Sequence, residues 1–169
     1  MADPAQKRAS YADVLSAPPH LRAEIIGGQL HLQPRPARRH LRSASSLGSF
    51  LHGAFDAALH GPGGWIIVVE PELHLGPEPD ILVPDLGGWR EERYPGDLDE
   101  DDPYYSVPPD WVAEVLSTST ARVDRTKKMP VYAREGIGHV WIVDPVGRLA
   151  ETSRRRRAAF CLASIPSSI

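Results

Sequence analysis

The chain has 169 residues, of which 41% are hydrophobic and 24% charged, with a formal net charge of −3. This is enough for one domain with a real core but short for two, and it provides no overall basic field, so any nucleic-acid contact must come from a local patch. A single cysteine, Cys161, excludes an internal disulfide framework and CxxC-type zinc sites. No apolar run approaches the ~20 residues that span a bilayer. "MADPAQKRAS" lacks the apolar stretch of a signal peptide. The expected location is cytoplasmic.

"SYADVLSAPP" predicts a short helix, with Ser10 as N-cap and Pro18-Pro19 as its stop. "RAEIIGGQLHLQP" predicts a hairpin turning at Gly27-Gly28. From Ala37 to His60 the apolar positions Leu41, Ala44, Leu47, Leu51, Ala54, Phe55 and Ala58 recur at helical steps. "WIIVVEPELHL" predicts one strand, and "DILVPDL" a second, antiparallel to it. Gly87 to Pro109 is acidic, aromatic and proline-bearing, without a strand or helix period. It reads as a long functional or mobile loop. "WVAEVLS" and "HVWIVDP" predict buried strands. Between them "TARVDRTKKMPVYAREG" is helical in pattern but contains Pro130.

Glu114 lies in the middle of the apolar strand "WVAEVLS". Strand alternation puts Val112, Glu114 and Leu116 on one side and Trp111, Ala113 and Val115 on the other. A buried carboxylate needs compensation. Asp85 ends another apolar strand, "ILVPDL". A divalent cation between the two carboxylates would remove both their repulsion and their desolvation cost. A lysine nearby, Lys127 or Lys128, could orient an attacking water or stabilise a phosphorane. The bland alternatives stand beside this reading: a solvent-facing or salt-bridged Glu114, a turn-starting Asp85 and a solvated lysine. Arg35, Arg38, Arg39 and Arg42 fit either an ordinary solvated helix face or a local phosphate contact. His139, before a strand, reads as structural. H-E-x-x-H, G-x-G-x-x-G, P-loop and G-x-S-x-G motifs are absent from the sequence, so no nucleotide cofactor is expected.

"LVPDLGGWREER", "PPDWVAEVLSTSTARVDRTKKMPVYAREG" and "GHVWIVDP" together resemble the Uma2 family, also described as DUF820. These are regarded as restriction endonucleases of the PD-(D/E)XK nuclease superfamily. The resemblance covers roughly residues 10–150. It implies an α/β fold, α+β by a stricter label, with a restriction-endonuclease-like core: a central mixed sheet flanked by helices. It also implies a Mg²⁺ site, with Mn²⁺ as a possible substitute, held by Asp85 of "VPD" and Glu114 of "EVLS". The superfamily lysine usually follows the Glu by two positions, but here that position is Leu116. The resemblance moves the role to Lys128 of "DRTKK", on the following helix, with Lys127 as runner-up. Glu24 of "RAEIIGGQL" matches a family Glu, an auxiliary metal or water ligand. Asp124 and Arg125 match with a minor supporting role. Asp80 and Asp110 are competing Pro-Asp positions; Asp85 is preferred because L-G-G-W-R follows it.

The expected activity is endonucleolytic hydrolysis of DNA phosphodiesters, in a homodimer and away from membranes. The alternative is a catalytically inactive binding or interaction module that keeps the fold. Two departures from the family pattern stand out. Pro130 follows the lysine by two residues and could kink the helix or displace Lys128. Past residue 150, "ETSRRRRAAFCLASIPSSI" reads as an atypical Arg-rich tail, with a truncated or frame-shifted C-terminus as the expectation.

Overall fold

The structure is a computed structural model and describes residues 7–96, 101–117, 121–147, 149–156 and 159–166. The expected mixed α/β architecture is present, but its strands divide between two sheets. The smaller has the order β2-β1-β5-β4, from β1 Leu21–Ile26, β2 Gln29–Pro34, β4 Leu73–Leu75 and β5 Asp80–Leu82. The larger has the order β10-β9-β8-β7-β6-β3, from β3 Trp65–Val69, β6 Leu86–Arg90, β7 Trp111–Val115, β8 His139–Asp144, β9 Leu149–Arg156 and β10 Ala159–Pro166. It is mixed: β7 and β8 run parallel, and every other neighbouring pair is antiparallel. The segment expected as an atypical tail therefore contributes β9 and β10.

The first elements follow the sequence. Helix α1, Tyr11–Leu15, starts at Ser10, whose backbone N–H and hydroxyl both donate to the Asp13 carboxylate at 2.7 Å. Gly27 and Gly28 join β1 to β2 with φ of 62° and 76°, the left-handed region that this tight hairpin turn needs.

The strands expected over "WIIVVEPELHL" and "DILVPDL" are each split. Leu75 pairs with Asp80 and Leu73 with Leu82 in the smaller sheet, while Val69 pairs with Leu86 and Trp65 with Arg90 in the larger. The register is continuous across the gap, where the Glu70 N–H donates to the Asp85 carbonyl at 3.1 Å. One long hairpin thus crosses from one sheet to the other. Pro71 and Pro84 interrupt the ladder on its two arms, and Glu70 turns with φ of 49°. Asp85 stands at that corner.

Residues 87–90, expected in the long loop, form most of β6. Polar neighbours hide the strand in the sequence, but Leu86 to Trp89 are buried. Their glycines are needed for close approach: a Cβ on Gly87 would lie 2.9 Å from the Pro71 ring. Residues 97–100 of the expected loop lie outside the described residues; beyond them the chain is tied down at Tyr105, whose N–H donates to the Glu72 carbonyl and whose carbonyl accepts from the His74 N–H. The Trp89 indole donates to the Val107 carbonyl at 3.1 Å.

The helix expected over 37–60 is shorter. α2 spans Arg38–Leu51 and passes into a π turn, His52–Asp56. The chain then folds back, and the Gly63 N–H takes the Ala54 carbonyl, so the helix cannot continue. Its buried face holds His40, Gly48, Leu51 and Ala54; Leu41, expected on that face, is 48% exposed. The C-terminal half packs on an apolar sheet face, whereas the first turn lies over polar groups and buries His40 instead.

Beyond β7 the chain is helical over 121–134: α3 Ala121–Val123, a π turn Asp124–Lys128, and α4 Met129–Arg134. Pro130 falls at the start of α4, directly after the π turn, and supplies no N–H to the helix there. The wider turn before it moves backbone carbonyls away from the proline ring. Val112 and Leu116 pack into the core under these helices with Tyr132, while Trp111 and Ala113 face Leu51 and Leu86 on the other side of the sheet. No helix among the described residues is long and apolar enough to cross a membrane.

Candidate active site

Three strands, a hairpin corner and one helical segment bring the polar residues together. β1 presents Arg22 and Glu24 on one face by its two-residue alternation, and Gln33 of β2 is in register with Arg22. The hairpin corner supplies Asp85, and β7 supplies Glu114. The π turn supplies Asp124 and Lys128, with Tyr132 one turn further along. Glu24, Asp85, Glu114, Asp124 and Lys128 are all at most 2% exposed.

Lys128 is the hub. Its Nζ lies 2.9 Å from Glu24 Oε1, 3.3 Å from Glu114 Oε1 and 3.3 Å from Asp124 Oδ1. Burial by itself disfavours the ammonium, but Glu114, Glu24 and Asp124 outweigh it and push its pKa up. Glu114 is opposite in character. Burial, reinforced by Asp124, Asp85 and Glu24, pushes its carboxyl well above the usual range despite Lys128. The Tyr132 hydroxyl donates to Glu114 Oε1 and is itself pushed well up, first by burial and then by that carboxylate.

Asp85 is held separately. Its Oδ1 lies 2.8 Å from His40 Nε2 and 3.6 Å from Arg22 Nη1, and its Oδ2 accepts the Val115 N–H at 2.7 Å. Burial would raise its carboxyl, but His40, the Val115 amide and Arg22 together hold it below the usual range. Glu24 has a second task at the corner: its Oε1 accepts the Val83 N–H at 2.8 Å, and its Oε2 accepts from the Gln33 amide at 3.1 Å.

Arg22, Gln33, His40, Asp85, Glu114 and Lys128 line one small cavity. Its free space is about 10 Å³, room for about one water. The four residues singled out in the sequence, Glu24, Asp85, Glu114 and Lys128, thus converge. The competing ones lie elsewhere. Asp80 accepts from the Gly27 N–H and from Arg134, and Asp110 from the Arg90 N–H and Arg93. Lys127 is exposed, with its Nζ 3.4 Å from His31. Arg125 points away to Glu151 at 2.6 Å. His139 lines an apolar cleft on the other face of the sheet.

Sequence reasoning missed Arg22, Gln33, His40 and Tyr132. Two of these left a signal: Arg22 shares the face of Glu24 two residues on, and Asp124, Lys128 and Tyr132 are spaced four apart, on one helical face. His40 left none, because a lone histidine in an arginine-rich helix start looks solvated.

Among the described residues no three Asp, Glu, His or Cys side chains form a ready-made cage for a metal. The donor set nevertheless suits magnesium, which binds through one or two carboxylates and keeps its waters or takes substrate phosphates. Four buried carboxylates face two fixed cations, Arg22 and Lys128. That surplus of negative charge, and the raised Glu114 carboxyl, fit a dication.

The sequence profile of a family described as "Uma2: Putative restriction endonuclease" matches residues 9–166. The chain belongs to the Uma2 family. The match reaches past residue 150, where the resemblance read from the motifs ended, and includes β9 and β10. The crystal structure of a "putative nuclease belonging to DUF820" from Anabaena variabilis is similar to this Uma2 chain, with a TM-score of 0.72 over 92% of this chain and 83% of that one. The two are 19% identical, so the likeness speaks for the fold of the Uma2 domain. A search of curated proteins gives no match.

Proposed function

We propose that this Uma2 protein is a Mg²⁺-dependent endonuclease that hydrolyses DNA phosphodiester bonds, with Asp85 and Glu114 as metal ligands and Mn²⁺ as an acceptable substitute. The observation that carries the reading is the convergence of Asp85, Glu114 and Lys128, from separate elements, on one buried polar cavity, with Glu24 ion-paired to Lys128 beside it. A bound dication would lower the pKa of a coordinated water and screen charge building on the phosphate.

The protein's own groups divide the remaining work. Lys128 is held protonated by three carboxylates, which makes it an electrostatic stabiliser of a phosphorane or a water-positioning donor and rules it out as a base at neutral pH. Asp85 stays ionised through His40, Arg22 and the Val115 amide, which keeps it an acceptor. Tyr132 and Lys128 hold Glu114 in place from the core side. Glu24 fixes Lys128 and serves as an auxiliary ligand of metal or water. A cytoplasmic homodimer, with two sites related by symmetry, is the assembly that cutting both strands would require.

One observation favours a second reading, an inactive interaction module: Glu24, Asp85 and Glu114 each already have a protein partner within hydrogen-bond range. Titration of Mn²⁺ and Mg²⁺ by calorimetry into wild type and Asp85→Asn, with thermal melts as a folding control and cleavage of plasmid DNA in parallel, separates the two. Binding that disappears in a folded Asp85→Asn, together with metal-dependent cleavage, supports the nuclease. A well-folded wild type that neither binds metal nor cleaves supports the module.

A further inference from the structure

We propose that Arg35, Arg38, Arg39 and Arg42 form a track for the sugar-phosphate backbone of nucleic acid, leading into the acidic cavity. This rests on the nuclease reading and names the surface that would deliver the substrate. Charge distribution is the first ground. Between Glu24 and Asp56 the sequence holds no Asp or Glu, although the chain has 22 of them. All four arginines are exposed. Among the described residues none of the four is within 4.0 Å of a carboxylate; Arg35 donates only to the Pro19 carbonyl, at 2.8 Å.

The second ground is energetic. Arg38 and Arg39 occupy the first turn of α2, where the backbone is already electropositive, and the first turn holds no acid. Arg38 and Arg42 are one turn apart, a repulsive i,i+4 pair. Ala37 makes no side-chain cap. For folding alone this is a poor helix start, and a polyanion would relieve every one of these penalties.

The third ground is position. Pro34, Pro36 and His40 line the acidic cavity, so Arg35 lies between two lining residues and Arg39 adjoins a third. His40, which lines the cavity, is 6% exposed, and its Nδ1 is buried without a hydrogen-bond partner. A negatively charged cavity with a positive rim suits a nucleic-acid backbone whose phosphates sit on the rim beside the acidic groups.

The test is anisotropy of a fluorescein-labelled duplex DNA oligonucleotide, in EDTA, across about 50–200 mM salt. It compares wild type, the Arg38→Ala/Arg39→Ala/Arg42→Ala triple variant, the corresponding Lys triple variant, and Arg8→Ala as a distant control. Cleavage in Mg²⁺ and Mn²⁺ is measured on the same proteins. The track predicts a log-log salt slope flatter by roughly 2–3 units in the Ala variant, since each phosphate contact contributes about 0.9. The Lys variant and Arg8→Ala keep the wild-type slope, and the Ala variant melts no lower than wild type. DNA binding with an unchanged slope in the Ala variant overturns the track, as does cleavage by wild type whose efficiency the Ala variant retains in full; the nuclease reading survives both. A track-dependent slope without any cleavage keeps the track and sinks the nuclease reading. Arginine-dependent binding to phosphatidylserine vesicles that exceeds binding to DNA overturns the assignment to nucleic acid.

Discussion

Asp85 Oδ2 accepts the backbone N–H of Val115 at 2.7 Å, one residue past Glu114. That bond ties the hairpin corner to β7 and fixes the spacing of the two proposed ligands through the backbone. Asp85→Asn keeps the size of the side chain but loses the charge that His40 and Arg22 compensate. The expected outcome is loss of metal binding by calorimetry with a modest fall in stability, about 1–3 kcal/mol by urea denaturation. Metal affinity unchanged in the folded variant removes Asp85 from the ligand set.

Lys128 compensates three buried carboxylates. Lys128→Ala leaves them facing one another, and breaking such a buried pair costs about 3–5 kcal/mol. Urea denaturation at neutral pH should show that loss, and mildly acid pH should reduce it as the carboxylates take up protons. Lys127→Ala, at the exposed neighbour, should stay within about 0.5 kcal/mol of wild type. Equal losses in the two variants would contradict the assignment of the hub to Lys128.

Glu114 sets a pH dependence. Its folded carboxyl is raised, so in the window above the ordinary carboxylate value the folded state binds more protons than the unfolded state. Stability from this group therefore falls as pH rises through that window. Asp85 has the opposite sign: its lowered carboxyl contributes stability at neutral pH that is lost as pH falls through the folded value. In EDTA, Glu114→Gln should melt at or above wild type at mildly alkaline pH, and the difference should shrink toward acid. DNA cleavage should be abolished. A variant that melts far below wild type at every pH would show that the charge of Glu114 stabilises the fold.

Tyr132 donates its hydroxyl to Glu114 from a fully buried position. Tyr132→Phe removes one oxygen and leaves the packing, for an expected cost of about 1–3 kcal/mol, the range for leaving a buried acceptor without its donor. In a double-mutant cycle with Glu114→Gln the two losses should be non-additive. Strict additivity would mean that the two side chains do not act together.

Gly87 faces the Pro71 ring at the hairpin corner, and a Cβ would sit 2.9 Å from it. Neither a proline ring nor the buried strand can give way easily, so Gly87→Ala should cost about 1–3 kcal/mol. Because this strain falls two residues from Asp85, weakened metal binding should accompany it. Calorimetry and thermal melts on one preparation check both.

Local signals were legible wherever neighbours in sequence decide the outcome. Ser10, Gly27-Gly28, the alternation of "WVAEVLS" and the apolar run of "HVWIVDP" each specify their element, because caps, turns and strand faces depend on adjacent residues. The family motifs also singled out Glu24, Asp85, Glu114 and Lys128, which the fold brings together. Other features were illegible because they are agreements between distant segments. One hairpin shared by two sheets depends on what each half finds to pair with. The strand at 86–90 is recognisable only once Ile67, Pro71 and Trp111 cover its glycines.

The sequence by itself determined the mixed α/β class and the family, and narrowed the site to a few candidate acids and two adjacent lysines, since residue types in order carry those directly. Only the tertiary structure decided that Lys128 rather than Lys127 turns inward, that Asp85 rather than Asp80 reaches the cavity, and that His40 and Arg22 hold it. A carboxylate's partner is set by distance in space, and electrostatic energy depends on separation and burial, neither of which the order of residues records.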